Sequence, residues 1–225
     1  MVNSASLHNS EIIRFPGYVP YHSQLASQDL AEAIFSKGLD PALDPRWRES
    51  GAATPDEYAY WVNRACGAAC VAMAVEALGG PVYPLIEWAR RGSAIGGYLN
   101  DLRQDNPHAE RGWLHSALAE LMIAAGFYAE PRAVELDQVP AWLGAGLLVI
   151  ASTSYEIGTD LPITRRGGHL VLVHGVELKN GQISALHLHN PSGRCAELRA
   201  NARLTAERFT AAYSGRVILA GLTPP

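Results

Sequence analysis

Lysine is nearly missing from this chain: Lys37 and Lys179 are the only two in 225 residues, and arginine supplies the rest of the positive charge. This reads as compositional bias rather than as a functional signal. Cysteine is scarce as well, with three residues, an odd number, two of them four apart. That excludes a disulfide framework and suits a reducing compartment. No apolar run approaches the ~20 residues needed to cross a bilayer. The stretch Met1–Ser10 has neither the basic nor the apolar region of a signal peptide, so a cytoplasmic location is expected. Excess positive charge is also lacking. The net charge is −4, which gives no broad attraction to nucleic acid or to an anionic membrane. No internal repeat or low-complexity tract is visible.

What is present is an ordinary globular composition, 48% apolar and 18% charged, long enough to bury a sizeable core. Its most distinctive stretch begins at Cys66-Gly67 and runs through small and apolar residues to Leu78, broken only by Glu76, before Gly79-Gly80. A helix apolar on nearly every face belongs inside a protein, and Gly79 fits the position that ends one. Cys66 then stands at the positive end of a buried helix, where unpaired N–H groups favour a thiolate. Taken alone, Cys66 is either a small core residue or a nucleophile. Cys70, four residues on, reads as packing.

Around this helix the chain reads helical first and β-rich second. Residues 1–15 are a polar lead-in and 15–21 are extended. Helices are expected over 29–37, from the Thr54-Pro55-Asp56-Glu57 start, over 84–91, 114–125, 136–143 and 204–213. Residues 39–55 form a loop anchored by Trp47, and 92–112 form a long irregular connection. Strands are expected over 147–153, 168–176, 182–189 and 216–220, with Asn180-Gly181 as a hairpin turn between the second and third. The class is α+β: one domain over 1–225, with a helical lobe over about 20–145 and an antiparallel sheet lobe over about 146–225.

Because 168–176 and 182–189 form a hairpin, His169 and Asn190 return to the same end of the sheet. A carboxamide can orient an imidazole by accepting its N–H, and Cys–His–Asn in that chain order is a known arrangement for a cysteine nucleophile. His174, His187 and His189 read as partly exposed sheet histidines rather than as a metal site. Tyr58, Trp61, Trp88 and Trp113 read as packing residues, one or two of which could line a cleft.

Four motifs carry a resemblance. They are Val19-Pro20-Tyr21-His22-Ser23-Gln24, Cys66-Gly67-Ala68-Ala69-Cys70-Val71-Ala72-Met73, Gly167-Gly168-His169-Leu170-Val171-Leu172-Val173-His174-Gly175, and His189-Asn190-Pro191. Together the chain resembles the C39-like cysteine peptidases, within the papain-like peptidase fold. The resemblance implies a central buried helix starting at Cys66, and Cys66 as the nucleophile. It implies His169 as the base, Asn190 as its orienting partner, and Gln24 as an oxyanion donor, with Gln28 as the rival for that last role. It implies a peptide or protein substrate cut through a thioester, with neither metal nor cofactor. The same thioester serves acyl transfer or transpeptidation on papain-like folds, and a catalytically inactive peptide-binding domain is the third alternative. Asn190 stands where the family often has Asp, and 92–112 matches none of its motifs. Bacteriocin-exporter members cut leaders after a double glycine, and that substrate is not carried over.

Overall fold

The computed structural model describes residues 10–100 and 111–225. The chain opens with a strand, β1 (Ser10–Arg14), and continues in extended form before a short helix, α1 (Ala31–Lys37), which Gly38 ends at φ 75°. α2 (Pro55–Val62) starts where its cap requires: Thr54 accepts a bond from the Glu57 N–H, and Glu57 reaches back to the Ala53 N–H. α3 (Cys66–Ala77) follows after three residues, and every residue from Gly67 to Val75 is buried. Gly79, at φ 85°, closes it in the left-handed conformation that favours glycine.

Next come α4 (Leu85–Ala94), the two-stranded ribbon β2 (Tyr98–Asn100) and β3 (Arg111–Trp113), and α5 (His115–Ala124). The expected irregular connection over 92–112 is therefore corrected at both ends, by helix at 92–94 and by the ribbon. Residues 101–110 of it, and 1–9 of the lead-in, lie outside the described residues. The remaining elements are β4 (Tyr128–Ala133), α6 (Val139–Gly144), β5 (Leu148–Thr153), β6 (His169–Lys179), β7 (Gln182–His189), β8 (Ala202–Thr205), α7 (Ala206–Ala212) and β9 (Tyr213–Gly221).

The main sheet is antiparallel, in the order β4-β9-β5-β6-β7-β8, with β1 beside the second half of β6. β6 is long enough to pair β5 through His169–Val173 and β1 through Gly175–Lys179. The Asn180-Gly181 turn has both residues at positive φ, 53° and 77°, the geometry that matches the twist of a tight hairpin. Three strands of this sheet were not foreseen. β1 is short and largely exposed. β4 contains Pro131, which a strand tolerates only at an edge, and β4 is an edge. β8 takes the first residues of the helix expected over 204–213: Ala202 and Leu204 are buried between exposed Arg203 and Thr205, a period of two.

The sheet is buried on both faces, which is why its central strands read as unbroken apolar runs. Leu148, Ile150, Leu170, Leu172, Ile218 and Ala220 pack against α3, α4 and α5. Their alternate neighbours Val149, Ala151, Val171, Val173, Val217 and Leu219 pack against Trp142 and Leu143 of α6 and Phe209 of α7. The α+β class holds, yet helices and strands are less segregated than expected: β1 joins the sheet from the lead-in, and β4 from within the expected helical lobe.

Candidate active site

Cys66 is the first residue of α3, preceded by an Ala65 cap that supplies no side-chain bond. Its position is fixed from outside the helix. The Trp113 Nε1–H donates to the Arg64 carbonyl at 2.6 Å, and the Trp113 ring lies so close to Gly67 that a Cβ there would come within 2.8 Å of it. Glycine at position 67 is what lets the indole reach the start of the helix.

His169 opens β6 after Gly167 and Gly168, at φ 74° and 87°. These two left-handed residues turn the chain into the strand so that His169 pairs Thr153 at the end of the sheet. Across the β6–β7 hairpin Leu172 faces His189, so Asn190 emerges at the same end. His169 Nε2 lies 2.9 Å from Asn190 Oδ1. The Ser192 backbone N–H also reaches Asn190 Oδ1, at 3.1 Å. A backbone N–H can only donate, so the carboxamide presents its oxygen, and His169 Nε2 carries the hydrogen. In the neutral ring Nδ1 is then the acceptor. Asn190 is locked in turn: its N–H donates to the Arg199 carbonyl at 2.9 Å, and its carbonyl accepts from Tyr21 Oη at 3.1 Å.

Cys66 and His169 line one cleft of about 670 Å³, together with Asn63, Tyr98, Trp113 and Ser152, and with the rim of β4 and β9. The Leu170 backbone N–H is directed at the Cys66 sulfur, so the thiol lies beside the residue next to His169. No hydrogen bond joins Cys66 to His169 among the described residues. Burial pushes the Cys66 thiol up to about 11, against the pull of the N–H groups of Leu170, Gly67 and Cys66 itself. Part of Cys66 stays open to the cleft, where water works against that rise. Burial drives His169 down to about 4, with the Asn190 bond opposing and the Arg194 charge assisting. Burial therefore disfavours the charged form of both groups. The expectation that the helix end favours a thiolate is thus corrected: the N–H groups act in that direction and desolvation outweighs them.

Gln24 is buried, and its Nε2 donates to the Val62 carbonyl at 2.7 Å, beneath the link from α2 to α3. It does not line the cleft, and its Oε1 has no partner. Gln28 is exposed, in the short helical turn Gln28–Leu30. The segment carrying Gln24 is strapped to the sheet end: the Gln24 N–H donates to the Pro191 carbonyl and His189 Nε2 to the Val19 carbonyl, both at 2.9 Å. His22 pairs with Glu76 at 2.6 Å, which accounts for the one charge in α3.

His189 is buried rather than partly exposed, with Nδ1 accepting from the Asn201 N–H at 3.0 Å, so both ring nitrogens are used. His187 is held by Glu177 at 2.9 Å, and His174 leaves its Nε2 unpartnered. No cluster of three His, Cys, Asp or Glu residues fit for a metal occurs among the described residues. No helix among them is long and apolar enough to cross a membrane. Of the aromatics singled out in the sequence, Trp113 reaches the cleft, where Tyr98 joins it. Tyr98, Ser152, Arg132 and Arg216 carry no local signal. They meet the site only through pairing of β2 with β3, of β4 with β9 and of β5 with β6.

No protein-family model matches the chain, and no curated protein matches its sequence. Solved structures do match. The chain is similar to C39 peptidase domains. One is the peptidase domain of Streptococcus ComA, a bi-functional ABC transporter involved in quorum sensing. It is 15% identical, with a TM-score of 0.46, over 72% of this chain and 93% of that one. A Bacillus anthracis protein assigned as a C39-like peptidase is 16% identical, with a TM-score of 0.49, over 72% and 90%. A double glycine motif protease from an AMS/PCAT transporter, solved with its leader peptide, is 14% identical, with a TM-score of 0.45, over 70% and 84%. Identities and TM-scores this low assign neither an activity nor a substrate.

Proposed function

We propose that this protein is a cysteine peptidase that cleaves a peptide amide bond through a thioester on Cys66. The observation that carries this reading is the placement of Cys66 and His169 on one cleft, with Asn190 holding His169 so that Nδ1 is left as a proton acceptor. From a neutral thiol and imidazole, His169 Nδ1 takes the thiol proton as the sulfur attacks the substrate carbonyl. The Cys66 backbone N–H, which has no intrahelical acceptor at the helix start, donates to the developing oxyanion. Gln24, the other donor that the resemblance implies, lies outside the cleft with its Nε2 on the Val62 carbonyl and reaches no oxyanion in this arrangement. His169 returns its proton to the leaving amine, and water then resolves the thioester with His169 again as base.

The test is the pH dependence of iodoacetamide labelling at Cys66, located by peptide mapping because Cys195 is also partly exposed. His169→Ala is expected to slow labelling at neutral pH by about 10²-fold or more, the scale of a lost general base. A labelling curve like that of a free thiol, unchanged by His169→Ala, refutes the proposal. Trapping the thioester and offering water or an added amine distinguishes hydrolysis from acyl transfer.

A further inference from the structure

The charged side chains lining the same cleft are basic, against the net charge of −4 for the whole chain. Arg64, Arg132 and Arg216 line it, and no Asp or Glu is among the described lining residues. The three differ in what engages them. Arg64 folds back on Tyr60, its guanidinium 4.3 Å from the ring centroid and Nη1 2.6 Å from the Tyr60 carbonyl. Arg132 is paired with Glu130 at 2.8 Å. Arg216 is exposed, and among the described residues it has neither an ion pair nor a hydrogen bond. It stands on β9 across from Ala133 of β4, near enough to His115 that its charge adds to the lowering that burial imposes on that histidine. His115 also lines the cleft. The arrangement therefore offers, among the described residues, one guanidinium with no hydrogen-bond or ion-pair partner on the wall of a concave site that also holds the nucleophile. Its donors are free, planar and matched to a carboxylate. A volume of about 670 Å³ lies within the range of sites that enclose small ligands or short segments.

We infer that Arg216 forms a carboxylate-recognising subsite of the cleft, selecting peptides that carry an acidic group near the bond presented to Cys66. This rests on the reading of the cleft as a peptide site. The carboxylate has two sources, an Asp or Glu side chain or the C-terminus of the peptide.

The probes are four N-acetylated hexapeptides of one sequence, with Glu or Gln at a single position and either a free or an amidated C-terminus. Binding is read on the full-length Cys66→Ser chain, which holds peptide without turnover, by quenching of tryptophan emission, since Trp113 lines the cleft. At least one carboxylate peptide is expected to bind about tenfold more tightly than the Gln amide, the scale of a hydrogen bond to a charged group. The preference is expected to weaken with salt. Arg216→Ala abolishes it while leaving the Gln amide unchanged, and Arg216→Glu reverses it. If the Glu amide is preferred the source is a side chain; if the Gln free acid is preferred it is the C-terminus. Equal binding of all four peptides, no binding of any, or a preference that survives Arg216→Ala overturns the subsite. The iodoacetamide experiment reads Cys66 and His169 independently. A normal His169 dependence with no carboxylate preference removes the subsite alone, and a carboxylate preference with an ordinary Cys66 thiol removes the peptidase reading alone.

Discussion

Position 67 has no room for a side chain. A methyl group there would meet Trp113 at 2.8 Å and Leu118 at 2.9 Å, beside the candidate nucleophile. Gly67→Ala is expected to destabilise the fold by about 1–3 kcal/mol, as overpacking does, and to displace the indole that anchors the Arg64 carbonyl. Urea unfolding measures the first effect, and a shift in tryptophan emission the second. Asn190 makes a different residue-scale case. It gives His169 Nε2 its acceptor and thereby selects the tautomer. Asn190→Ala leaves only Ser192 Oγ, 3.3 Å from Nε2, as a neighbour able to orient the ring. Labelling of Cys66 is expected to slow on the order of tenfold or more, with a smaller loss for Asn190→Asp, which keeps an acceptor oxygen. Equal rates for Asn190→Ala and the parent would separate Asn190 from the chemistry.

At the scale of elements, the β6–β7 hairpin decides whether the site exists. Its turn fixes the register, and the register places His169 and Asn190 at one end. Gly181→Val forces a branched residue to φ 77° and is expected to cost about 1–2 kcal/mol in urea unfolding while leaving the pH profile of Cys66 labelling in place. Inserting one residue between Asn180 and Gly181 is expected to abolish the His169 dependence of labelling, because a slip of one residue sends alternate side chains to the opposite face. This hairpin was readable from Asn180-Gly181 between two apolar runs. The α3 helix was equally readable, from its small apolar residues and Gly79. The β4 strand was not, since Pro131 and Arg132 look like loop residues until pairing with β9 supplies the context. The helix expected from Leu204 starts two residues later, at Ala206, for the same reason: Leu204 pairs Leu186, and the core contact outweighs local propensity.

Over the whole molecule, the buried histidines link stability to pH. His169 is lowered from 6.5 to about 4 and His174 from 6.5 to about 3, each chiefly by burial. A histidine held neutral in the folded state contributes stability that is full above 6.5 and is lost as pH falls, because the unfolded chain then binds more protons. The loss for His169 spans 6.5 to about 4 and amounts to about 3 kcal/mol. Glu156 and Glu177, held down near 2 by their hydrogen bonds, lose their contribution only below 4.5. The melting temperature is therefore expected to fall in two stages on acidification, the first before the carboxylates titrate. His174→Leu, which removes an unpartnered buried nitrogen, is expected to flatten the first stage. Melting curves between pH 7 and pH 3 that fall in a single stage, with or without His174, would contradict this.

The sequence by itself determined the local facts: a buried helix beginning at Cys66, an apolar hairpin turned at Asn180-Gly181, and a histidine and an asparagine at its open end. These follow from periodicity, capping and turn chemistry, which act over a few residues. Only the tertiary structure decided that the charged form of each is disfavoured, because the burial that pushes Cys66 up and His169 down comes from α3, β6 and the 190–194 turn packing together. It alone brought Tyr98, Trp113, Arg132 and Arg216 to the cleft, and it held Gln24 against Val62 instead of in the cleft wall. Desolvation and the summed charge of a cleft depend on residues far apart in the chain, so no short stretch of sequence encodes them.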